Sequence, residues 1–471
     1  MTEFDIAVIG GGPGGYVAAI RAAQQGACVC LVEKERVGGT CLNRGCIPTK
    51  ALYSTAHLRH RLQSADTHGF DFGNLRFDYG RAATRKDEVV EKLVGGVEQL
   101  LKGNKVEIFH GQASLEDAGR IRIRSRGVVG HIRARKIIIA SGSVPARPKS
   151  LPIDGKNVLT SREILDMKEL PGRLLVIGGG YIGCEFASIF GTLGSQVTVV
   201  EQLPGILTHS DRQVVREVEK SFKDLGIEMR TETAVEGLEV ASDEVRAELD
   251  DGRTLTVDKV LVAVGRVPNS SGMGLEEAGV DLDHGAITVD EGMRTSAEDI
   301  FAIGDVTNII QLAHVASYQA GVAVTNALGG DARADYRVVP SAIFTLPEIG
   351  QVGLTEAECK EAGTAIEVGR FAYQAASKAL CDGEPRGLFK IVAEKEGGRI
   401  LGAAAAGEEA STLIAEVALA MQRELTVGQL AEVIHAHPTL PELVKEAAED
   451  CEGQAVHKIG ARSRRADKKN T

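Results

Sequence analysis

The sequence predicts an α/β protein: two similar units, each a parallel sheet with covering helices, followed by a separate α+β segment. Three observations carry this. An apolar strand running into spaced glycines and then a helix occurs twice, first from Asp5 and again from Leu174. Each copy continues into a second apolar strand closed by a carboxylate, Glu33 or Glu201. From Val338 onward the pattern changes to strands at Ala342–Phe344, Gly387–Ala393 and Ile400–Ala406 and helices at Thr412–Gln422 and Val427–Val433, the grouping of an α+β domain.

Composition bounds the function classes. A chain of 471 residues is too long for one core, and 43% hydrophobic with 25% charged residues is ordinary for a globular protein. With a net charge of −11 and no basic stripe in the body, neither nucleic acid nor an acidic membrane surface is an expected partner. The first strand begins by Phe4, which leaves no room for a targeting peptide, and no apolar run approaches the ~20 residues that span a bilayer. A soluble, cytoplasmic protein is expected. Cys28 and Cys30 read as strand residues and Cys184, Cys359, Cys381 and Cys451 are scattered singly, so no secreted disulfide framework and no metal site are expected.

Taken in order, the first strand ends at Ile9 and is followed by Gly10, Gly12 and Gly15 in GxGxxG spacing, a helix over Tyr16–Gln25 and a strand, Cys28–Val32, closing on Glu33. Small residues let a pyrophosphate approach backbone at a helix N-terminus, and the carboxylate accepts hydrogen bonds from ribose hydroxyls. The unit recurs with Gly178, Gly180, Gly183 and Glu201. Two Rossmann-like units imply two dinucleotides, FAD beside a nicotinamide. Glu201 would repel a 2′-phosphate, and residues 202–210, QLPGILTHS, contain no Lys or Arg, so NAD is expected rather than NADP.

Directly after the first unit, GGTCLNRGCIPTK (38–50) places Cys41 and Cys46 in a glycine-flanked turn. Residues five apart sit roughly 140° apart around an ideal helix, so a bridge needs a distorted turn; Gly45 and Pro48 permit it. So short a loop stabilises little, which points to a redox-active disulfide rather than a structural one. Its position at a helix start favours the thiolate that reduction releases. A zinc half-site or two independent thiols are the alternatives these residues leave open.

The later elements set the expected domain limits. Thr84–Lys102 has helical spacing, and Val106–Arg124 is strand-like with turns at Gly111 and Gly119. A strand Lys136–Ala140 leads to SGSVP and a proline-marked crossover. Boundaries are placed at 1–148 for the first nucleotide domain, 149–270 for the second, 271–337 for a central segment returning to the first, 338–457 for the C-terminal domain and 458–471 for a basic tail expected to be disordered. In the central segment the strand DIFAIGD ends on Gly304 and Asp305, where a carboxylate is placed to accept hydrogen bonds from the ribityl chain of a flavin.

Both nucleotide units, the CxxxxC turn and the ending HAHPTLPELVKEAA give the chain a close resemblance, from Phe4 to about His457, to the pyridine nucleotide disulfide oxidoreductases, and among them to those that oxidise dihydrolipoyl groups. GGTCLNRGCIPTKAL, GGGYIGCEFA, FAIGDV, LAHVASYQAG, IFTLPEIGQVG and HAHPT carry it. The resemblance implies that Cys41 is the interchange thiol that meets substrate and Cys46 the thiol against the flavin, with Lys50 and Glu185 an ion pair beside it. It implies His437 as general base oriented by Glu442, in a homodimer whose active sites use both subunits; His435 reads as an ordinary loop residue. For FAD it adds Gly39, Thr40, Lys50, Ala113, Ser141, Gly142 and Ala313 to the residues above. For NAD it adds Tyr181, Ile182, Glu185, Val235 and Gly265. The implied partner is a lipoyl-bearing acyltransferase or carrier protein of a 2-oxo acid dehydrogenase or glycine cleavage complex. Pro441, Tyr318 and Gln319 depart from the family pattern. A glutathione-type or mercuric reductase, or a noncatalytic flavoprotein scaffold, is the rival reading.

Overall fold

The computed structural model describes residues 3–71, 73, 75–125 and 127–459. Two compact units emerge. The first takes in residues up to Thr55, Gly69–Leu170 and Leu261–Asp335; the second takes in Ala56–His68, Pro171–Val260 and the chain from Tyr336.

In the first unit the strand Glu3–Ile9 lies between Val29–Glu33 and Val128–Ile139, parallel to both, with Glu107–His110 beyond Val29–Glu33 and Ile300–Ala302 parallel to Val128–Ile139. Antiparallel strands Gln112–Asp117 and Arg120–Ser125 extend the sheet, and the turns between them fall at the expected glycines. A parallel sheet is covered on both faces, which is why its strands read as nearly continuous apolar runs. Ile6 and Val8 face the helical core while Ala7 and Ile9 face the opposite one. The helix Pro13–Gln24 starts three residues before the expected Tyr16, because Pro13 sits at its first position, where a missing N–H costs nothing. A Cβ on Gly14 would stand 3.3 Å from Ala316 Cβ, so that glycine lets the helix Ala313–Ala327 pack closely. The helix Tyr79–Gly103 likewise starts ahead of Thr84, since the Asp78 side chain accepts Arg81 N–H and caps it.

In the second unit Arg173–Ile177, Gln196–Val200 and Glu228–Arg230 are parallel, with the helix Tyr181–Leu193 between the first two in sequence. An antiparallel ribbon follows, Val235–Val240, Val245–Leu249 and Thr254–Val257. The C-terminal part is a five-stranded antiparallel sheet in the order Ser341–Ile343, Ile349–Gly353, Ile400–Ala406, Leu388–Glu394, Ile366–Ala372. The helix Glu442–Cys451 lies so close to it that a Cβ on Gly369 would stand 1.8 Å from Ala447 O.

A buried lysine is paired in this unit. Lys390, 1% exposed, donates to Asp211 Oδ2 at 2.6 Å and pairs with Glu356 at 2.7 Å. Burial opposes ionisation of Glu356, but Lys360, Lys390 and Arg370 outweigh it and hold its carboxyl down at about 2. Lys390→Met is expected to destabilise the protein by about 3–5 kcal/mol, because it strands two carboxylates without their cation. Urea unfolding measures this, and a loss under about 1 kcal/mol would refute it.

Lys458 Nζ donates to Arg370 O at 3.0 Å and to Asp450 Oδ2 at 2.5 Å; the rest of the expected basic tail, from 460 on, lies outside the described residues. No helix among the described residues is long and apolar enough to cross a membrane.

Candidate active site

Past Glu33 the chain turns through Gly38 and Gly39, both at positive φ, into a short helix, Gly39–Arg44. Gly38 N–H donates to Gly11 O at 2.7 Å. A Cβ on Gly39 would lie 2.6 Å from Gly12 Cα, so the turn is seated directly on the first glycine loop. Asn43 Nδ2 donates to Val37 O and Gly39 O at 3.0 and 2.9 Å, fixing the turn from inside.

The distortion expected between the cysteines is present. Gly45, at φ −145° and ψ −113°, ends the short helix, and Cys46 begins an 18-residue helix, Cys46–Gln63. No S–S bond joins Cys41 to Cys46 in the structure; the thiols interact as a hydrogen-bonded pair. Cys46 and burial push the Cys41 thiol well up, Lys50 pulls it down and Asp305 adds to the rise. The helix-start argument concerns Cys46, which opens the long helix.

Around the pair lies the first cradle. Gly10 has φ +103°, and a Cβ on Gly15 would stand 1.8 Å from Gly10 O. Gly12 caps the helix Pro13–Gln24 in extended backbone. Glu33 Oε2 accepts Gly11 N–H at 2.7 Å and Oε1 accepts Glu35 N–H at 2.8 Å; burial pushes this carboxyl up while Gly11 N–H opposes it. Thr40 lies in the short helix, Ala113 is buried in Gln112–Asp117, and Gly142 is left-handed at φ +71°. Ser141 Oγ is buried with no hydrogen-bond partner among the described residues. Asp305 follows Gly304 in a 3₁₀ turn, Gly304–Thr307, and accepts the Ser143 hydroxyl proton. Gly304 N–H donates to Gln319 Oε1 at 2.6 Å, and Ala313 opens the helix Ala313–Ala327. The helix N-terminus approachable only across glycine, together with the orphaned Ser141 hydroxyl, fits a dinucleotide.

The second cradle repeats the first. Gly178 has φ +109°, a Cβ on Gly183 would stand 2.0 Å from Gly178 O, and Gly180 caps the helix that opens with Tyr181 and Ile182. Glu201 Oε2 accepts Gly179 N–H at 2.6 Å and Oε1 accepts Leu203 N–H at 2.8 Å. Gly11, Glu33 and Glu35 thus correspond to Gly179, Glu201 and Leu203 at one constant offset. Val235 opens the strand Val235–Val240. Glu185 is buried in the helix Tyr181–Leu193, its Oε1 accepting Phe344 N–H at 2.9 Å. Two expected groupings divide between units: Gly265 belongs to the first, where its carbonyl accepts Ala146 N–H, and Lys50 belongs to the first while Glu185 belongs to the second. Gly183→Ala is expected to cost NAD-dependent turnover at least about tenfold with flavin retained, since an inserted methyl must displace the Gly178 carbonyl; an unchanged KM for NAD would refute this.

At the C-terminal end His437 Nδ1 lies 3.0 Å from Glu442 Oε1, and Glu442 Oε2 accepts Thr439 N–H at 2.9 Å. Pro441 caps the helix that Glu442 opens, so the departure from the family pattern leaves the dyad intact. Burial opposes ionisation of Glu442, but Thr439 N–H and His437 outweigh it and hold the carboxyl low. With Nδ1 on the carboxylate and the side chain 69% exposed, Nε2 is the nitrogen presented as a base. His435 is more than a loop residue: Nε2 lies 2.8 Å from Glu416 Oε1 and Nδ1 lies 3.0 Å from Val433 O, tying the segment to the helix Ala410–Gln422. Sequence reasoning missed this anchor along with Asn43, Ser143 and Gly14. The repeated His of HAHPT was the signal available.

Residues 4–320 match the pyridine nucleotide-disulphide oxidoreductase family and residues 339–448 match its dimerisation domain. The chain is 41% identical over 448 residues to the dihydrolipoyl dehydrogenase of Chlamydia muridarum, covering 94% of this chain and 96% of that one. It is 43% identical over 468 residues to the dihydrolipoyl dehydrogenase of Haloferax volcanii, covering 97% and 98%. Among solved structures, LpdA of Mycobacterium tuberculosis aligns with a TM-score of 0.89 at 29% identity over 96% of this chain and 99% of that one. The HOCl-induced flavoprotein disulfide reductase RclA of Escherichia coli aligns with a TM-score of 0.86 at 30% identity over 94% and 99%. With two matching cradles, a seated pair of thiols and the dimerisation segment, the chain belongs to the pyridine nucleotide-disulphide oxidoreductase family, as a homodimeric enzyme whose cofactors are FAD and NAD.

Proposed function

We propose that the protein is a dihydrolipoyl dehydrogenase, oxidising the dihydrolipoyl group of a carrier protein to lipoyl and reducing NAD to NADH. The observation that carries this is the thiol pair set against the first cradle by Gly39, in a chain so similar over its length to enzymes of that name. In the oxidised enzyme Cys41 and Cys46 form a disulfide. His437, supplied by the other subunit of the dimer, takes the proton from one substrate thiol, and the resulting thiolate attacks Cys41 Sγ. A mixed disulfide forms at Cys41 and Cys46 leaves as a thiolate, stabilised by Lys50. The second substrate thiol then attacks its neighbouring sulfur, closing the lipoyl ring and releasing Cys41; the proton of that second thiol passes by way of His437 to Cys41, and His437 keeps the one taken first. Glu442 keeps the imidazole oriented through both transfers. Gly10, Gly12, Gly15 and Glu33 would hold FAD and Gly178, Gly180, Gly183 and Glu201 would hold NAD; when bound, these cofactors would supply the two-electron oxidation of the dithiol that restores the disulfide. Glu201 would repel a 2′-phosphate, and residues 202–210 contain no Lys or Arg, which favours NAD.

The test is NADH formation by the purified yellow protein with dihydrolipoamide, compared with NADPH consumption on glutathione disulfide. Rapid turnover with the first pair and none with the second is expected. The reverse would move the substrate to a glutathione-type reductase, and neither would leave a scaffold. The carrier partner is tested by replacing dihydrolipoamide with a reduced lipoyl-bearing protein, which should be oxidised at a lower KM.

A further inference from the structure

Three residues far apart in sequence form one chain of hydrogen bonds in the first unit. Arg266, opening the strand Arg266–Pro268, donates from Nε to Ser143 Oγ at 2.8 Å and from Nη2 to Ser143 O at 2.7 Å. Ser143 in turn donates its hydroxyl proton to Asp305 Oδ2. Ser143 is 6% exposed. A serine hydroxyl has one proton and turns freely unless its lone pairs are taken. Here the guanidinium occupies the acceptor side and also holds the serine backbone, so the proton is directed to Asp305. The backbone at this turn is fixed separately, by Gln319 on Gly304 N–H and by Thr307 Oγ1 donating to Gly304 O. The Arg266 relay therefore acts on the Asp305 side chain alone.

We propose that Arg266 and Ser143 are positioning residues for FAD, orienting the Asp305 carboxylate toward the cofactor's polyol chain. This rests on the reading of Asp305 as a ribityl acceptor. Buried hydrogen bonds between charged groups are worth most when their geometry is set in advance. The relay ends on a guanidinium, whose planar fork suits holding a hydroxyl and a carbonyl of one residue at once. Asp305 also lies within electrostatic reach of Cys41, which places the relay beside the thiol pair.

The experiment is the dissociation constant for FAD, read by recovery of flavin fluorescence after reconstitution of the flavin-stripped dimer. The set is Ser143→Ala, Arg266→Met, their double variant and Asp305→Ala. Each single relay variant is expected to weaken FAD about tenfold, and the double variant no more than either alone, because the two act through one path. Thermal unfolding of the stripped proteins reports general damage, which would lower the midpoint without this non-additivity. An FAD affinity within twofold of the parent for Ser143→Ala, or a double variant whose loss is the product of the singles, overturns the relay. If Asp305→Ala also binds FAD like the parent, the ribityl reading itself falls; if it binds weakly while the relay variants do not, only the relay falls.

Discussion

Cys46→Ser is expected to abolish dihydrolipoamide oxidation by at least about a thousandfold while the protein remains yellow. A hydroxyl in place of the thiol cannot close the bridge on which both exchange steps depend, and loss of a covalent catalyst costs on the order of 10³-fold or more. FAD should stay because its cradle is made by Gly10, Gly12, Gly15 and Glu33, none of which uses the sulfur. Cys46 opens a long helix, and serine is well tolerated at a helix start. The measurements are the flavin absorbance of the purified variant and its NADH formation rate. Turnover above about 1% of the parent would remove the disulfide from the mechanism.

His437→Gln should slow the thiol half-reaction by about 10²–10⁴, the usual span for a positioned general base, and leave NADH-driven reduction of an artificial electron acceptor nearly unchanged. The variant keeps a side chain able to face Glu442, whose second oxygen stays on Thr439 N–H, so the loop is not expected to collapse. The split between the two activities decides the matter. Equal loss of both would mean that the substitution had damaged the flavin site or the dimer, and a base role for His437 would have no support.

Local chemistry was legible in the sequence; juxtaposition was not. The glycines and closing carboxylates of both cradles lie within one strand, turn and helix, so their spacing alone reports the geometry. The break at Gly45 was readable for the same reason, since two cysteines five positions apart cannot meet on an intact helix. Helix starts were read late where the first turn is held by a cap or a proline, as at Asp78 and Pro13. At Cys41 the neighbouring Cys46 thiol and burial push the thiol up, a balance that sequence spacing alone does not report. Ser143, Arg266 and Asp305 were invisible as a group, because three segments of the chain meet only after folding. His435 was read as filler because nothing near it in sequence announces Glu416 as its partner.

The twin anchoring of Glu33 and Glu201 bears on how the cofactors arrive. Each carboxylate is held at both oxygens by main-chain N–H groups of its own unit, so its direction does not wait for a nucleotide to set it. Recognition then resembles a key entering a rigid lock: little freedom remains to be surrendered at these positions, and more of the contact energy appears as affinity. A tenant that must never leave and a visitor that must depart after every cycle are received by the same rigid seat. What separates residence from exchange must therefore lie outside the two glycine loops, in the surroundings that each unit builds around its own copy.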